Sequence, residues 1–91
     1  MGYKMLPPEI LINQFGYIFL QNKMPEKAFA FFQMNILNYP ESFNVYDSMG
    51  DFYDGKGDKT KAMEYYSKAL SLKDNPETKA KLKKLKEGKN K

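Results

Sequence analysis

Cysteine and histidine are both absent from the 91 residues of this chain. Without cysteine there is no disulfide bond, no thiolate nucleophile and no thiolate metal ligand. Without histidine the chain lacks the commonest general base and the commonest metal ligand of proteins. These absences argue against a self-contained enzyme, and we expect no catalytic residue, no metal site and no cofactor.

Arginine and long apolar stretches are missing as well. All fifteen basic residues are lysine, eight of them lie between Lys73 and Lys91, and the formal net charge is +4. Lysine lacks the planar fork that holds a phosphate by two hydrogen bonds, so nucleic acid is not the expected partner. Weak binding of anions or nucleic acid through the lysine-rich C-terminus is kept as the third functional hypothesis. No stretch reaches the roughly 18 apolar residues that suggest a membrane span, so no membrane partner is expected.

The first residues carry no recognisable targeting signal. Pro7 and Pro8 interrupt the apolar segment that a signal peptide would need. The compartment is therefore not indicated. A cytoplasmic location would suit a free-standing protein, and a periplasmic one would suit the tail of a secreted enzyme.

What the chain does contain is an internal repeat with a spacing of 34 residues. Gly16 aligns with Gly50, and each glycine is followed three positions later by an aromatic residue. The repeat-defining positions are small, aromatic or proline residues: Gly16, Phe19, Ala28, Phe32 and Pro40 in the first copy, and Gly50, Tyr53, Ala62, Tyr66 and Ala69 in the second. This pattern resembles the tetratricopeptide repeat family.

The periodicity independently predicts helices. Each copy contains two segments with apolar residues at i, i+3, i+4 and i+7, which is typical of amphipathic helices. Asp58 and Asn75 are suitable N-caps for the helices that follow them. The predicted fold class is all-α, an alpha-alpha superhelix of two tetratricopeptide helix-turn-helix repeats and a C-terminal capping helix. The predicted divisions are a lead-in at 1–8, repeats at 9–41 and 42–75, the capping helix at 76–87, and a frayed lysine-rich tail at 88–91.

Gly16 and Gly50 fall inside predicted helices, where glycine costs about 0.5–1 kcal/mol relative to alanine. Their presence predicts that two helices cross closely at each glycine. We expect Phe32 and Tyr66, respectively, to pack over the missing side chains.

The family resemblance implies a non-catalytic module that binds a protein or peptide in a concave groove lined by the first helix of each repeat. Asp47, Asp51 and Asp54 are spaced at i, i+4 and i+7 and therefore share one helix face. The predicted groove residues are Asn13, Tyr17, Leu20, Asp47, Asp51 and Asp54. Such a groove favours basic or neutral ligands over acidic ones. The alternative is that the three aspartates form only a solvated acidic face.

Two local patterns resemble functional motifs but are incomplete. Ser48 precedes Gly50 as in a nucleophile elbow, but no strand and no histidine accompany it. A calcium loop starting at Asp54 would need glycine where Lys59 stands and glutamate where Tyr65 stands. Neither activity is predicted.

One apolar face has no obvious partner. Leu11 and Ile18 correspond to Val45 and Phe52 of the second copy, which should pack against the first copy. Together with Ile10 they form a predicted docking face, whose occupant could be a larger assembly or a second copy in a homodimer. The alternative is that the N-terminal residues Tyr3, Met5 and Leu6 fold back to cover it.

A second resemblance bears on this face. Residues 38–50 are similar to repeat tails at the C-terminal ends of bacterial serine hydrolases, both esterase-like and β-lactamase-like. This resemblance implies the second functional hypothesis, a structural appendage that docks on a catalytic domain of a longer protein.

Overall fold

The computed structural model describes residues 6–89, which form five α-helices. They are α1 (Glu9–Gln21), α2 (Pro25–Asn38), α3 (Phe43–Lys56), α4 (Lys59–Leu72) and α5 (Pro76–Lys89). No strand occurs in this part of the chain, so the predicted all-α repeat architecture is confirmed. None of the five helices combines the length and the apolar character that a bilayer crossing requires.

The helices stack as two hairpins and a closing helix. α1 packs on α2, α3 packs on α4, and α5 covers the far side of α4. The result is an elongated body of 56 × 30 × 16 Å. The predicted repeat limits enclose the two hairpins, and α5 continues two residues past 87, the predicted end of the capping helix. Residues 1–5 and 90–91 lie outside the described residues, and so do the predicted cover by Tyr3 and Met5 and the end of the predicted tail.

The two glycines allow each hairpin to close. A Cβ atom built on Gly16 would lie 2.4 Å from a ring carbon of Phe32, and one on Gly50 would lie 2.5 Å from the Tyr66 ring. These separations are far shorter than any carbon–carbon contact, so only glycine lets the helices approach this closely. The predicted close crossings are confirmed at both positions.

Local side-chain chemistry sets the helix ends. The Asp58 carboxylate accepts a hydrogen bond from the backbone N–H of Lys61, and the Asn75 side chain accepts from the N–H groups of Glu77 and Thr78. Both residues therefore act as the predicted N-caps. Gly57 ends α3 with a φ of 86°, in the left-handed region that favours glycine.

The core runs through the middle of the stack. Met49 and Phe52 of α3 are buried against Ala28 and Phe32 of α2, which joins the second hairpin to the first. At the C-terminal end, Leu82 and Leu85 of α5 close over Ala62 and Tyr66 of α4 in the same way.

Candidate functional site

Polar side chains connect the first helix of each hairpin with α5. Because α1, α3 and α5 occupy equivalent places in the stack, their side chains meet across neighbouring units. We call this set the aspartate network, and its members are Asn13, Tyr17, Asp47, Ser48, Asp51, Tyr66, Thr78 and Lys81.

Asp51 is the centre of the network. Its carboxylate accepts hydrogen bonds from the hydroxyl groups of Tyr17 and Tyr66, each at 2.5 Å, and the Lys81 ammonium lies 3.1 Å away. These donors come from α1, α4 and α5, while Asp51 itself belongs to α3. One carboxylate thus links four of the five helices through charge-assisted hydrogen bonds.

The two tyrosines are poor acids in this setting. Burial raises the pKa of Tyr17 above its ordinary value of 10.0, and the charge of Asp51 and the hydrogen bond to it raise it further. The pKa of Tyr66 is raised by burial, then by its hydrogen bond to Asp51 and by the charge of that carboxylate. The folded chain therefore holds both phenolic protons at a pH where an unfolded chain releases them.

This difference predicts alkaline destabilisation. Above about pH 10 the unfolded state loses tyrosine protons that the folded state keeps, so the free energy of unfolding falls as pH rises. Each tyrosine contributes at most about 1.4 kcal/mol per pH unit. Urea unfolding followed by circular dichroism at several pH values above and below this point measures the slope.

A variant with Tyr17→Phe and Tyr66→Phe should show a shallower decline above about pH 10 than the wild type. If the free energy of unfolding of the wild type stays constant through the first pH unit above about pH 10, the folded chain does not raise the pKa of the two tyrosines.

Asp47 forms the second half of the network. It accepts a hydrogen bond from the hydroxyl of buried Thr78 at 2.8 Å and one from Lys81 at 3.0 Å. Burial alone would lower the pKa of Lys81, but its hydrogen bond to Asp47 and the charges of Asp51 and Asp47 outweigh burial and raise that pKa. Lys81 is therefore the positive counterpart of the two aspartates.

Asn13 and Ser48 complete the network on the side of α3 that faces α1. The Ser48 hydroxyl donates a hydrogen bond to the Asn13 side chain of α1.

The six predicted groove residues do not all lie together. Asn13, Tyr17, Asp47 and Asp51 belong to the aspartate network, where their polar groups bind neighbouring helices. The Asp54 carboxylate pairs with the exposed ammonium of Lys59 at 2.8 Å. Leu20 packs against the hydrophobic core. A purely solvated acidic face is not what this geometry shows, since Asp47 and Asp51 have specific partners on α5.

An open cleft adjoins the network, and residues of α3, α4 and α5 line it. Its volume is about 750 Å³, and Tyr66 and Leu85 contribute to its lining. Three carboxylates (Asp51, Asp54 and Glu87) and three lysines (Lys59, Lys81 and Lys84) surround it. The cleft combines apolar surface with balanced charge, which suits a ligand with an apolar side chain and a polar backbone.

Sequence reasoning missed the part of Lys81 and Thr78 in this site. Both lie on α5, and the sequence predicts for the lysines of this region only a frayed tail or weak anion binding. The sequence signal for these two residues is the N-cap Asn75, which marks the start of α5 as Ser42 marks the start of α3. Counting from these two residues aligns α5 with α3 and so places residues of α5 beside the aspartates.

The predicted docking residues lie away from the network. Ile10 is 71% exposed, and Leu11 and Ile18 are about half exposed on the outer side of α1. The structure adds Phe15 to this surface, at 39% exposed.

Comparison with known protein families supports the helical-repeat fold of the second hairpin. The sequence model of one family, described as "Tetratricopeptide repeat", matches residues 43–76. This segment contains α3, α4 and the loop that leads to α5. No curated protein matches the chain.

Proposed function

We propose that this chain is a non-catalytic module of the tetratricopeptide type that binds a peptide on the side formed by α1, α3 and α5, since residues 43–76 match the model of that family. Repeats of this family generally mediate protein–protein interactions and generally act as non-catalytic scaffolds. Stacked helical repeats bind extended partners on the concave surface that their stacking creates. The observation that carries the proposal is the open cleft lined by α3, α4 and α5.

The charges around the cleft narrow the class of ligand. Three lysines and three carboxylates line the cleft, so the formal charges of its lining cancel. Lys81 pairs with both Asp47 and Asp51, and Lys59 pairs with Asp54. From the predicted preference for basic or neutral ligands we therefore retain the neutral class. The ligand we propose is an extended peptide with an apolar side chain that contacts Tyr66 and Leu85.

This proposal predicts a charge-dependent pattern of binding. In a panel of otherwise identical fluorescent peptides, measured by anisotropy, the neutral member should bind more tightly than the acidic and basic ones. Lys84→Glu, at the edge of the cleft, should shift the preference towards the basic peptide because it leaves net negative charge there.

Lys83→Glu is the matched control, since Lys83 is exposed on the same helix and does not line the cleft. It should leave the order of the three peptides unchanged. A wild type that prefers the acidic peptide, or equal effects of the two substitutions, would contradict binding at this cleft.

The other two hypotheses involve different surfaces. Anion binding through the lysine-rich end would use α5, where Lys81 pairs with Asp47 and Asp51, and Lys79 pairs with Asp74. These pairs reduce the positive charge that a phosphate would meet, so this hypothesis gains no support. The appendage hypothesis concerns the outer side of α1.

A further inference from the structure

The three helices α1, α3 and α5 share one arrangement of side chains. In each, the third, seventh and tenth residues lie on the face turned towards the preceding position in the stack. In α3 and α5 all six of these residues are buried: Val45, Met49 and Phe52, and Thr78, Leu82 and Leu85. This face is therefore an interface between successive units wherever a preceding helix is present.

In α1 the same three positions hold Leu11, Phe15 and Ile18, which we call the outer face of α1. These side chains are 45%, 39% and 48% exposed. Their apolar character matches that of the buried set in α3, and no described helix precedes them. The outer face thus has the composition of an interface without its partner.

The partner surface in the other two interfaces has a definite pattern. α3 packs on α2, and α5 packs on α4. The fourth, fifth, eighth and twelfth residues of α2 and α4 are alanine, a large apolar residue, an aromatic residue and isoleucine or leucine. They are Ala28, Phe29, Phe32 and Ile36, and Ala62, Met63, Tyr66 and Leu70.

We propose that the outer face of α1 is a docking site for an amphipathic helix of a partner protein that carries this pattern. The partner helix would continue the stack, since the outer face repeats the interface that α3 makes with α2. The low charge of α1 suits an apolar partner, because Glu9 is the only charged residue of this helix. The carboxylate of Glu9 accepts a hydrogen bond from Ser42 at 2.6 Å. This surface is distinct from the cleft, so the inference does not depend on peptide binding there.

Two other occupants fit less well. A second copy would have to supply a helix with the pattern, and among residues 6–89 the two such helices already hold α3 and α5. The pattern spans nine helix positions, or about 12 Å along a helix axis. Residues 1–5 are too few to provide it.

The test uses a synthetic helix of known sequence as the probe. A peptide corresponding to residues 25–38, which is α2 itself, is titrated into the isotopically labelled chain and followed by NMR. We expect saturable shifts in the amide signals of Leu11, Phe15 and Ile18, with a Kd below about 1 mM. A peptide that carries Phe32→Ser and Ile36→Ser should not bind.

Matched protein variants locate the site. Ile18→Lys should weaken binding about tenfold or more, because it places a charge in the apolar contact. Leu37→Lys is the control, since Leu37 is 71% exposed and its counterpart in the second hairpin, Ser71, is exposed even with a hairpin in front of it. Leu37→Lys should bind like the wild type, and both variants should keep the wild-type circular dichroism because both positions are exposed.

The proposal is overturned by equal binding of the two peptides, by shifts confined to other helices, or by no binding up to about 1 mM. Sedimentation of the wild type alone gives a further decisive result. A dimer that Ile18→Lys disrupts would identify the occupant as a second copy of the chain.

Discussion

We expect Gly50→Leu to lower the free energy of unfolding by about 3 kcal/mol or more, the upper end of the usual overpacking penalty. Even the first added carbon would lie 2.5 Å from the Tyr66 ring. The ring has little freedom to move aside, because Tyr66 is buried and its hydroxyl is bonded to Asp51. Thermal and urea unfolding followed by circular dichroism measures the change.

Gly55→Ala is the matched control in the same helix. A Cβ atom at Gly55 meets no other atom within 4 Å. Here the better helix propensity of alanine should raise the free energy of unfolding by about 0.5–1 kcal/mol. If the free energy of unfolding falls for Gly50→Leu and rises for Gly55→Ala, the difference is due to the steric clash at Gly50. A Gly50→Leu variant as stable as the wild type would contradict the close crossing of α3 and α4.

We expect Asp51→Asn to lower the free energy of unfolding by about 1.5–3 kcal/mol, the range for hydrogen bonds to a charged group. The amide keeps the shape of the side chain but has only one acceptor oxygen for Tyr17, Tyr66 and Lys81. Its NH₂ group would also face a donor. Chemical unfolding at neutral pH measures the loss.

Asp54→Asn provides the comparison, because Asp54 lies one helical turn further along α3 and pairs only with the exposed Lys59. Exposed ion pairs contribute about 1 kcal/mol or less, so this variant should stay close to the wild type. Equal effects of the two substitutions would mean that Asp51 does not connect the helices. A large loss of stability for Asp51→Asn and little change for Asp54→Asn would show that Asp51, which also lines the cleft, connects the helices.

Much of the fold is predictable from sequence because it depends on the size and spacing of single residues. Gly16 and Gly50 have no local reason to stand inside helices, so their position predicts a close helix crossing. Asp58 and Asn75 reveal helix starts through the chemistry of their own side chains. Such features require only neighbours within one repeat, and the 34-residue spacing identifies those neighbours.

The site is less predictable because most of its contacts join residues 30 to 35 positions apart, and the remaining one, between Tyr66 and Asp51, joins residues 15 positions apart. Lys81 reaches Asp47 and Asp51 because α5 begins 33 residues after α3, one fewer than the repeat spacing. In the sequence Lys81 is one of several lysines on a weakly apolar helix, and nothing local distinguishes it from Lys83 or Lys84. The position of Phe15 in the outer face can be predicted from the sequence, because Phe15 lies 34 residues before Met49, which is buried in the interface between the two hairpins.

The linear stacking of the helices also affects how the chain opens. In a stack where each unit contacts mainly its neighbours, stability is a sum of local terms and partial unfolding starts where neighbours are fewest. α3 lies in the middle and has six buried residues, whereas α1 has two, Ile12 and Gly16. Local opening is therefore expected to begin at the ends and to reach α3 last. A partner bound to the outer face of α1 would suppress fluctuations at this end of the stack.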